Sequence, residues 1–457
     1  MILSEKIDSS QGKNRIGSDR SALIDYLAQR RADLAQRCPY PVLLWAGDPP
    51  SRNFPANTYP FRASSHFLYF AGRPLPGAAL LLAEGKATLF MDEPAPSAAL
   101  WHGPTPSPAA QAEGIGAQAV YPLADLLQQT VDAVTLPPDL TQVSDRAMAL
   151  VQSLVDLRLR HDDWALAEMR FAAQVSVQAH RAGMAATRQS TTEAEVRAAI
   201  EQVMIAHQCP CAYNSIVTTH GEVLHNEHYH HPLQPGDLLL VDAGAETPQG
   251  WAADITRTWP VSGQFLSPQR DLYNVVLAAH DACIAAARPG VEYRDLHLLA
   301  CRTLAAGLVD LGILRGQPDD LVERDIHALF FPHGVGHLLG LDVHDMEDLG
   351  DWAGYAPGRQ RSSRFGLGYL RLDRPLAPRM VVTIEPGFYQ VPGLLTPARQ
   401  SGQYDDAVNW ERLEDFASVR GIRIEDDVLI TQEGCDVLTA ALPVVAEELE
   451  ALVGGKG

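Results

Sequence analysis

DLLLVDAGAETPQGWAADITRTWP, residues 237–260, decides how the second half of this chain is read. Leu238–Val241 is a continuous apolar run, the mark of a strand buried on both faces, and Asp242 follows it directly. Thr247-Pro-Gln-Gly250 supplies a turn, and the chain returns through Trp251–Pro260 with Asp254 in the returning segment. A tight hairpin predicts Asp242 and Asp254 roughly opposite one another, where cross-strand neighbours are about 4.5–5.5 Å apart and like charges repel. Burying both requires a compensating cation or a shared proton. The alternative is that each faces solvent or caps a turn.

Two more carboxylates repeat the anomaly. Glu385 ends the apolar run Met380–Ile384. In Gly421-Ile-Arg-Ile-Glu425, period-two alternation puts Ile422 and Ile424 on one face and Arg423 and Glu425 on the other. Arg423 can neutralise or orient a carboxylate there, although a surface strand with an exposed Arg–Glu pair has the same pattern. PHGVGHLLGLDVHD, residues 332–345, sets His333, His337 and His344 among Gly334, Gly336 and Gly340. Those glycines disfavour a helix and predict a loop that runs against a strand and lets backbone approach a ligand. A second tract, His225–His231, reads as an exposed loop at His228, His230 and His231. Four carboxylates and one imidazole form a ligand set, since two dications bring +4 against the −4 of Asp242, Asp254, Glu385 and Glu425. Donors that are mostly oxygen, with no cysteine, favour Mn²⁺ over Co²⁺, Fe²⁺ or Zn²⁺. Paired metals about 3.5–4 Å apart serve aminopeptidases and phosphatases alike, and charge counting does not choose between them.

The chain around this cluster has 457 residues, 36 Lys+Arg and 56 Asp+Glu, for a formal charge of −20. Such an acidic balance argues against nucleic acid and anionic lipid as partners. With 46% hydrophobic and 20% charged residues it can bury a sizeable core, and no run of 18 apolar residues is present to span a membrane. Residues 1–20 are polar and predict a flexible tail. Residues 21–160 alternate helix and strand as one α/β domain: a helix at 22–37, a strand at 41–47, a hairpin around Glu84-Gly85-Lys86, and loops where proline is dense between 94 and 108. Residues 161–457 predict a second, mixed α+β domain with helices at 163–187, 192–207, 267–288 and 293–312. Six scattered cysteines are too few for a disulfide framework, and Cys209-Pro-Cys211 is too tight for a structural zinc pair. Buried thiols in a reducing compartment and the lack of an apolar secretory stretch lead to a cytoplasmic expectation.

YNSIVTTHGEVLH, VDAGAE, ADITRTWP, HGVGHLLGLDVHD, TIEPGFY and GIRIEDD resemble, in order, the Xaa-Pro peptidase family of aminopeptidase P and prolidase, and NTYPFRASSHFLYFAG resembles the aminopeptidase P N-terminal domain. The resemblance implies an α/β N-terminal domain of the creatinase/prolidase type followed by a pita-bread metallopeptidase domain. It implies two divalent ions, one held by Asp242, the other by His337 and Glu385, with Asp254 and Glu425 bridging. It makes Glu385 the proton shuttle and puts His225 and His344 beside the scissile carbonyl. His333 becomes part of the substrate pocket, and Arg423 the holder of a ligand carboxylate at the substrate site. The implied substrates are peptides with proline in the second position, cleaved at the N-terminal Xaa-Pro bond, and the implied assembly is a homodimer or homotetramer. The dipeptide-specific alternative, prolidase, draws on Arg371 as a receiver of the substrate carboxylate and on the long segment 390–420.

Overall fold

The computed structural model describes residues 20–136 and 143–455, so the tail expected at 1–20 lies almost wholly outside the described residues. The chain divides into two compact units. One contains the residues up to Glu168 together with Pro248–Gly250, and the other contains the remainder. The division falls inside the long helix Asp163–Thr187.

In the first unit, four short strands form one sheet in the order Val42–Trp45, Ala79–Ala83, Lys86–Phe90, Ala119–Tyr121. The first three are antiparallel and the last pairs parallel. The hairpin sits where expected: Glu84 and Gly85 both have positive φ, at 52° and 75°, as a two-residue primed turn requires. The helix Arg20–Arg37 carries Arg31 into the interior, where it is 2% exposed. Its guanidinium donates to the carbonyls of Phe70, Ile115 and Gly116, which satisfies the buried charge through backbone dipoles. The proline-dense stretch is not all loop. Ala98–His102 and Pro108–Gly114 are short helices, because Pro108 occupies the first turn, where its missing N–H costs nothing, and Ser107 Oγ accepts from Ala110 N at 3.3 Å.

The second unit is built on strands that, apart from the partly buried Cys435–Val437, are buried along their whole length. Ile216–Thr218, Leu238–Asp242 and Thr256–Pro260 form an antiparallel sheet, as do Val381–Ile384, Asp426–Ile430 and Cys435–Val437. A ribbon of Gly387–Tyr389 and Gly421–Arg423 lies with them, and the bridges Thr256↔Glu425 and Leu338↔Val382 join the pieces. Helices Glu193–Ala206, Ser267–Ala286 and Tyr293–Asp310 form close to the expected positions. The long helix Asp163–Thr187 is pinned to the first sheet: Ser176 Oγ accepts from Ala245 N, His180 Nε2 meets Ala243 O, and Trp259 Nε1 donates to Thr187 Oγ1. Among the described residues no helix is long and apolar enough to cross a membrane.

The hairpin that opened the sequence reading differs in one respect. Asp242 pairs with Thr256, and the same register continues to Glu246↔Ala252, so Gly244 stands opposite Asp254. The two aspartates are diagonal neighbours on one face rather than direct partners. Gly244 permits this arrangement. A Cβ there would lie 1.7 Å from Ala253 O and 3.1 Å from the ring of Tyr213, so the missing side chain leaves space that Tyr213 fills. Gly244→Ala is expected to force the hairpin open and to cost about 1–3 kcal/mol as an overpacked core site; urea denaturation, read as a lower midpoint, checks it.

Candidate active site

Each candidate donor is delivered by the end of a strand or by a loop clamped to one. Asp242 closes Leu238–Asp242. The backbone N–H of Asp254 is held by the Asp427 carboxylate at 3.1 Å. Glu385 follows Val381–Ile384, its N–H bonded to Val335 O at 2.8 Å. Glu425 donates its N–H to Thr256 O, and Thr256 Oγ1 returns a 2.6 Å bond to Glu425 Oε2. His337 comes from the glycine-rich loop, which runs against a strand as expected: Thr383 N–H donates to His337 O, and Thr383 Oγ1 accepts from His337 N. Gly336, at φ 152°, is required there, because a Cβ would stand 2.3 Å from both Thr383 O and the Tyr293 hydroxyl.

These segments bring the sequence candidates together. A cavity of about 310 Å³ is lined by His225, Asp242, Asp254, His333, His337, His344, Arg371, Glu385, Arg423 and Glu425. Asp242, Asp254, His337 and Glu425 are buried at 9%, 5%, 2% and 1% exposure, while the Glu385 side chain is 16% exposed. His337 Nε2 lies 3.4 Å from Asp254 Oδ2 and 3.5 Å from Glu385 Oε1. Asp254, His337 and Glu425 each offer one donor atom within 4.8 Å of the others. A second cavity, lined by Tyr213, Asn214, Glu227 and Val343, shares His225, Asp242, Asp254 and His344 with the first.

The electrostatics of this cluster are under strain. Burial and the charge of Asp242 push the Asp254 carboxyl well above its usual range. Burial together with Asp254, Glu385 and Asp242 does the same to Glu425. Burial raises Glu385 to about 7 despite the nearby His337 and Arg423. Burial, aided by Arg423, lowers His333 to about 3, and burial also lowers His225 and His344.

Two details show that divalent ions fit this donor set. His337 Nδ1 is held by Leu338 O at 3.0 Å, so the Nδ1–H tautomer turns the bare Nε2 lone pair toward two carboxylates. Glu425 Oε1 is buried without a hydrogen-bond partner. A lone pair and carboxylate oxygens converging with no proton donor between them suit a cation.

The rest of the site surrounds these donors with neutralising groups. Arg423, 4% exposed, donates to Asp242 Oδ2 at 2.6 Å, to Thr256 Oγ1 at 3.0 Å and to the Tyr389 hydroxyl at 3.0 Å. It therefore acts on a carboxylate from behind rather than projecting free into the cavity. The Tyr389 hydroxyl also meets His333 Nε2 at 2.8 Å. His344 packs on His337, ring centroids 4.2 Å apart, with its Nδ1 3.4 Å from Glu347. Arg371 is engaged by Glu347 Oε2 at 2.6 Å, whereas Asp373 is held by Arg294 and Arg359. Sequence reasoning missed Tyr213, whose hydroxyl lies 2.6 Å from Asp242 Oδ1 and 2.5 Å from Asp254 Oδ1. It also missed Thr256 and Tyr389. None of the three is charged, so none stood out as an anomaly in the sequence.

A two-layered set of buried carboxylates on a mixed α/β frame defines a metallohydrolase centre, and comparison with known proteins makes the class specific. Residues 167–432 match metallopeptidase family M24, and the chain belongs to that family. Its catalytic half accordingly has the pita-bread fold and is that of an enzyme using divalent metal ions. Residues 27–137 match the aminopeptidase P N-terminal domain. Over 432 residues the chain is 34% identical to a probable Xaa-Pro aminopeptidase of Talaromyces stipitatus, covering 87% of this chain and 88% of that protein. The solved aminopeptidase PepP of Pseudomonas aeruginosa superposes with a TM-score of 0.78 at 29% identity, covering 94% of this chain and 98% of that one. A zinc-substituted aminopeptidase P of E. coli in complex with product gives 0.77 at 28% identity, covering 95% and 99%.

Tyr213→Phe removes the one hydroxyl shared by Asp242 and Asp254. It is expected to weaken Mn²⁺ binding by about 10–100-fold, the usual effect of losing a partner that orients metal-binding side chains. Calorimetric titration of chelator-treated protein measures this, and an unchanged affinity would remove Tyr213 from the support of the site.

Proposed function

We propose that the chain is an Xaa-Pro aminopeptidase that hydrolyses the N-terminal Xaa-Pro bond of peptides with two Mn²⁺ ions. The observation that carries this is the convergence of Asp242, Asp254, His337, Glu385 and Glu425 at one cavity, in a chain similar over most of its length to Xaa-Pro aminopeptidases. Bound by those five residues, divalent ions would act as Lewis acids toward the scissile carbonyl and acidify the attacking water. Mn²⁺ is the ion that the oxygen-rich donor set favours.

The chain's own groups do the rest. Glu385, the most open of the five, takes a proton on its carboxylate and passes it to the departing prolyl nitrogen. His225 and His344 border both cavities, so an N–H from either can reach the carbonyl oxygen between them as charge builds there. Arg423 and Tyr213 hold Asp242 in place, one on each carboxylate oxygen. The two cavities give a peptide room on both sides of the scissile bond. His333, Tyr369 and Pro332 provide a partly apolar wall suited to a pyrrolidine ring.

The aminopeptidase reading is favoured over a dipeptidase, because Arg371 already satisfies Glu347. A substrate carboxylate would have to share that guanidinium with an acid that already offsets its charge. The same reading includes a homodimer or homotetramer, supported by the strongly exposed Leu100, Trp101, Leu127 and Val131 of the N-terminal unit. It also includes a cytoplasmic location, supported by six free thiols.

Chelator-treated protein is expected to lose Xaa-Pro hydrolysis and to regain it with Mn²⁺, cleaving Gly-Pro-Xaa tripeptides in strong preference to Gly-Pro. A preference for Gly-Pro would restore the dipeptidase role of Arg371. Glu385→Gln is expected to lower kcat by about 10²–10⁴-fold; steady-state kinetics at saturating Mn²⁺ test this, and near-normal turnover would assign the proton transfer elsewhere.

A further inference from the structure

A second cluster of ligating side chains shares no residue with the peptidase centre. The helix Tyr293–Asp310 carries His297 and Cys301 one turn apart, and the 3₁₀ turn Ile326–Leu329 brings His327 to them. Their exposures are 0%, 0% and 2%, and one donor atom from each lies within 4.8 Å of the others. His297 Nε2 is 3.5 Å from Cys301 Sγ. Zinc holds imidazole nitrogen at about 2.0–2.1 Å and thiolate sulfur at about 2.3 Å, so tetrahedral coordination would separate such a pair by about 3.6 Å.

His327 supplies an independent observation. Both of its ring nitrogens are buried and neither makes a well-formed hydrogen bond, the backbone at Leu321 bearing only weakly on the ring. An apolar residue of similar size would avoid this arrangement. Gly366 lies against its Nε2. A Cβ on Gly366 would stand 3.2 Å from His327 Nε2 and 3.0 Å from Asp325 Oδ1. Asp325 Oδ1 is likewise buried and unpartnered, while Oδ2 of the same carboxylate accepts from Arg364 Nε at 2.7 Å. Burial lowers His297 to about 4 and His327 to about 3, which keeps both imidazoles neutral, the form that binds metal.

We propose that His297, Cys301 and His327 form a buried structural site for one zinc ion. The nitrogen and sulfur donor set suits zinc, and the thiolate offsets one of its two charges. On binding, the Cys301 thiol proton passes to solvent, and His297 exchanges its 2.9 Å contact with Gly366 O for the metal. The ion would tie the helix to the turn that leads through Phe330 and Phe331 into the glycine-rich loop bearing His333 and His337.

Sulfur distinguishes this site from the peptidase centre, whose candidate donors are oxygen and nitrogen only. Full-length protein, reduced, stripped with chelator and reloaded with Co²⁺, is expected to show a near-ultraviolet thiolate-to-cobalt charge-transfer band that saturates at one ion per chain. Cys301→Ser is expected to abolish the band and to lower zinc content by one ion per chain, measured by atomic emission. His327→Gln keeps every cysteine and carries the same comparison should the first variant fail to fold; it is expected to weaken cobalt affinity at this site by at least about tenfold. Absence of the band in the parent protein overturns the proposal. So does a band that persists in Cys301→Ser or is unchanged in affinity in His327→Gln.

Discussion

Like-charge repulsion among Asp242, Asp254, Glu385 and Glu425 is the constraint around which the catalytic half is arranged. Two unit charges 4 Å apart at an effective dielectric of 20 interact by about 4 kcal/mol. A few such pairs rival the whole stability of a domain, about 5–15 kcal/mol. The surrounding structure supplies compensation piece by piece. Arg423 sits at 2.6 Å from Asp242, Tyr213 lies between the two aspartates, and Thr256 donates to Glu425. Arg257, fully buried, spends its donors on Glu425 O, Thr256 O, Leu442 O, Pro443 O and Asp426. Metal ions supply the remainder, and the unpartnered Glu425 Oε1 and the bare His337 lone pair show where the protein alone falls short.

What the sequence revealed was of one physical kind: charge in the wrong surroundings. Acids inside or at the ends of apolar runs, and histidines among glycines, pointed to the residues that now line one cavity. Periodicity located the long helices of the catalytic half for the same reason, since their apolar faces repeat at a clear interval. What stayed hidden was neutral or geometric. Tyr213, Thr256 and Tyr389 act through hydroxyls that leave no mark on hydropathy. The hairpin's register depends on Gly244 having no side chain, so the aspartates came out diagonal instead of opposed. Proline density between 94 and 108 predicts loop, although proline in a first helical turn is compatible with the short helix that Ser107 caps.

Arg371 illustrates a different limit. The resemblance to prolidase implies a cation near the cavity, and Arg371 lines its wall. Its partner Glu347 lies 24 residues earlier in the chain and also sits 3.4 Å from His344. No local pattern couples those two segments. The cation, the acid and the imidazole form one connected group, so the character of Arg371 depends on a neighbour that only folding provides.

Thr256 has a further meaning for how the protein acquires activity. It pairs with Asp242 in one sheet, bridges to Glu425 from a segment 169 residues later, and bonds the side chains of both Glu425 and Arg423. A catalytic centre knotted through so distant a contact has no local fragment that resembles it. Chain closure over such separations is slow, and no short peptide of this sequence contains a preformed metal site. Ion capture therefore belongs to the end of folding, and a partly folded chain presents scattered acids rather than a weak enzyme. In a cell this delays proteolytic chemistry until the molecule that will control it is complete.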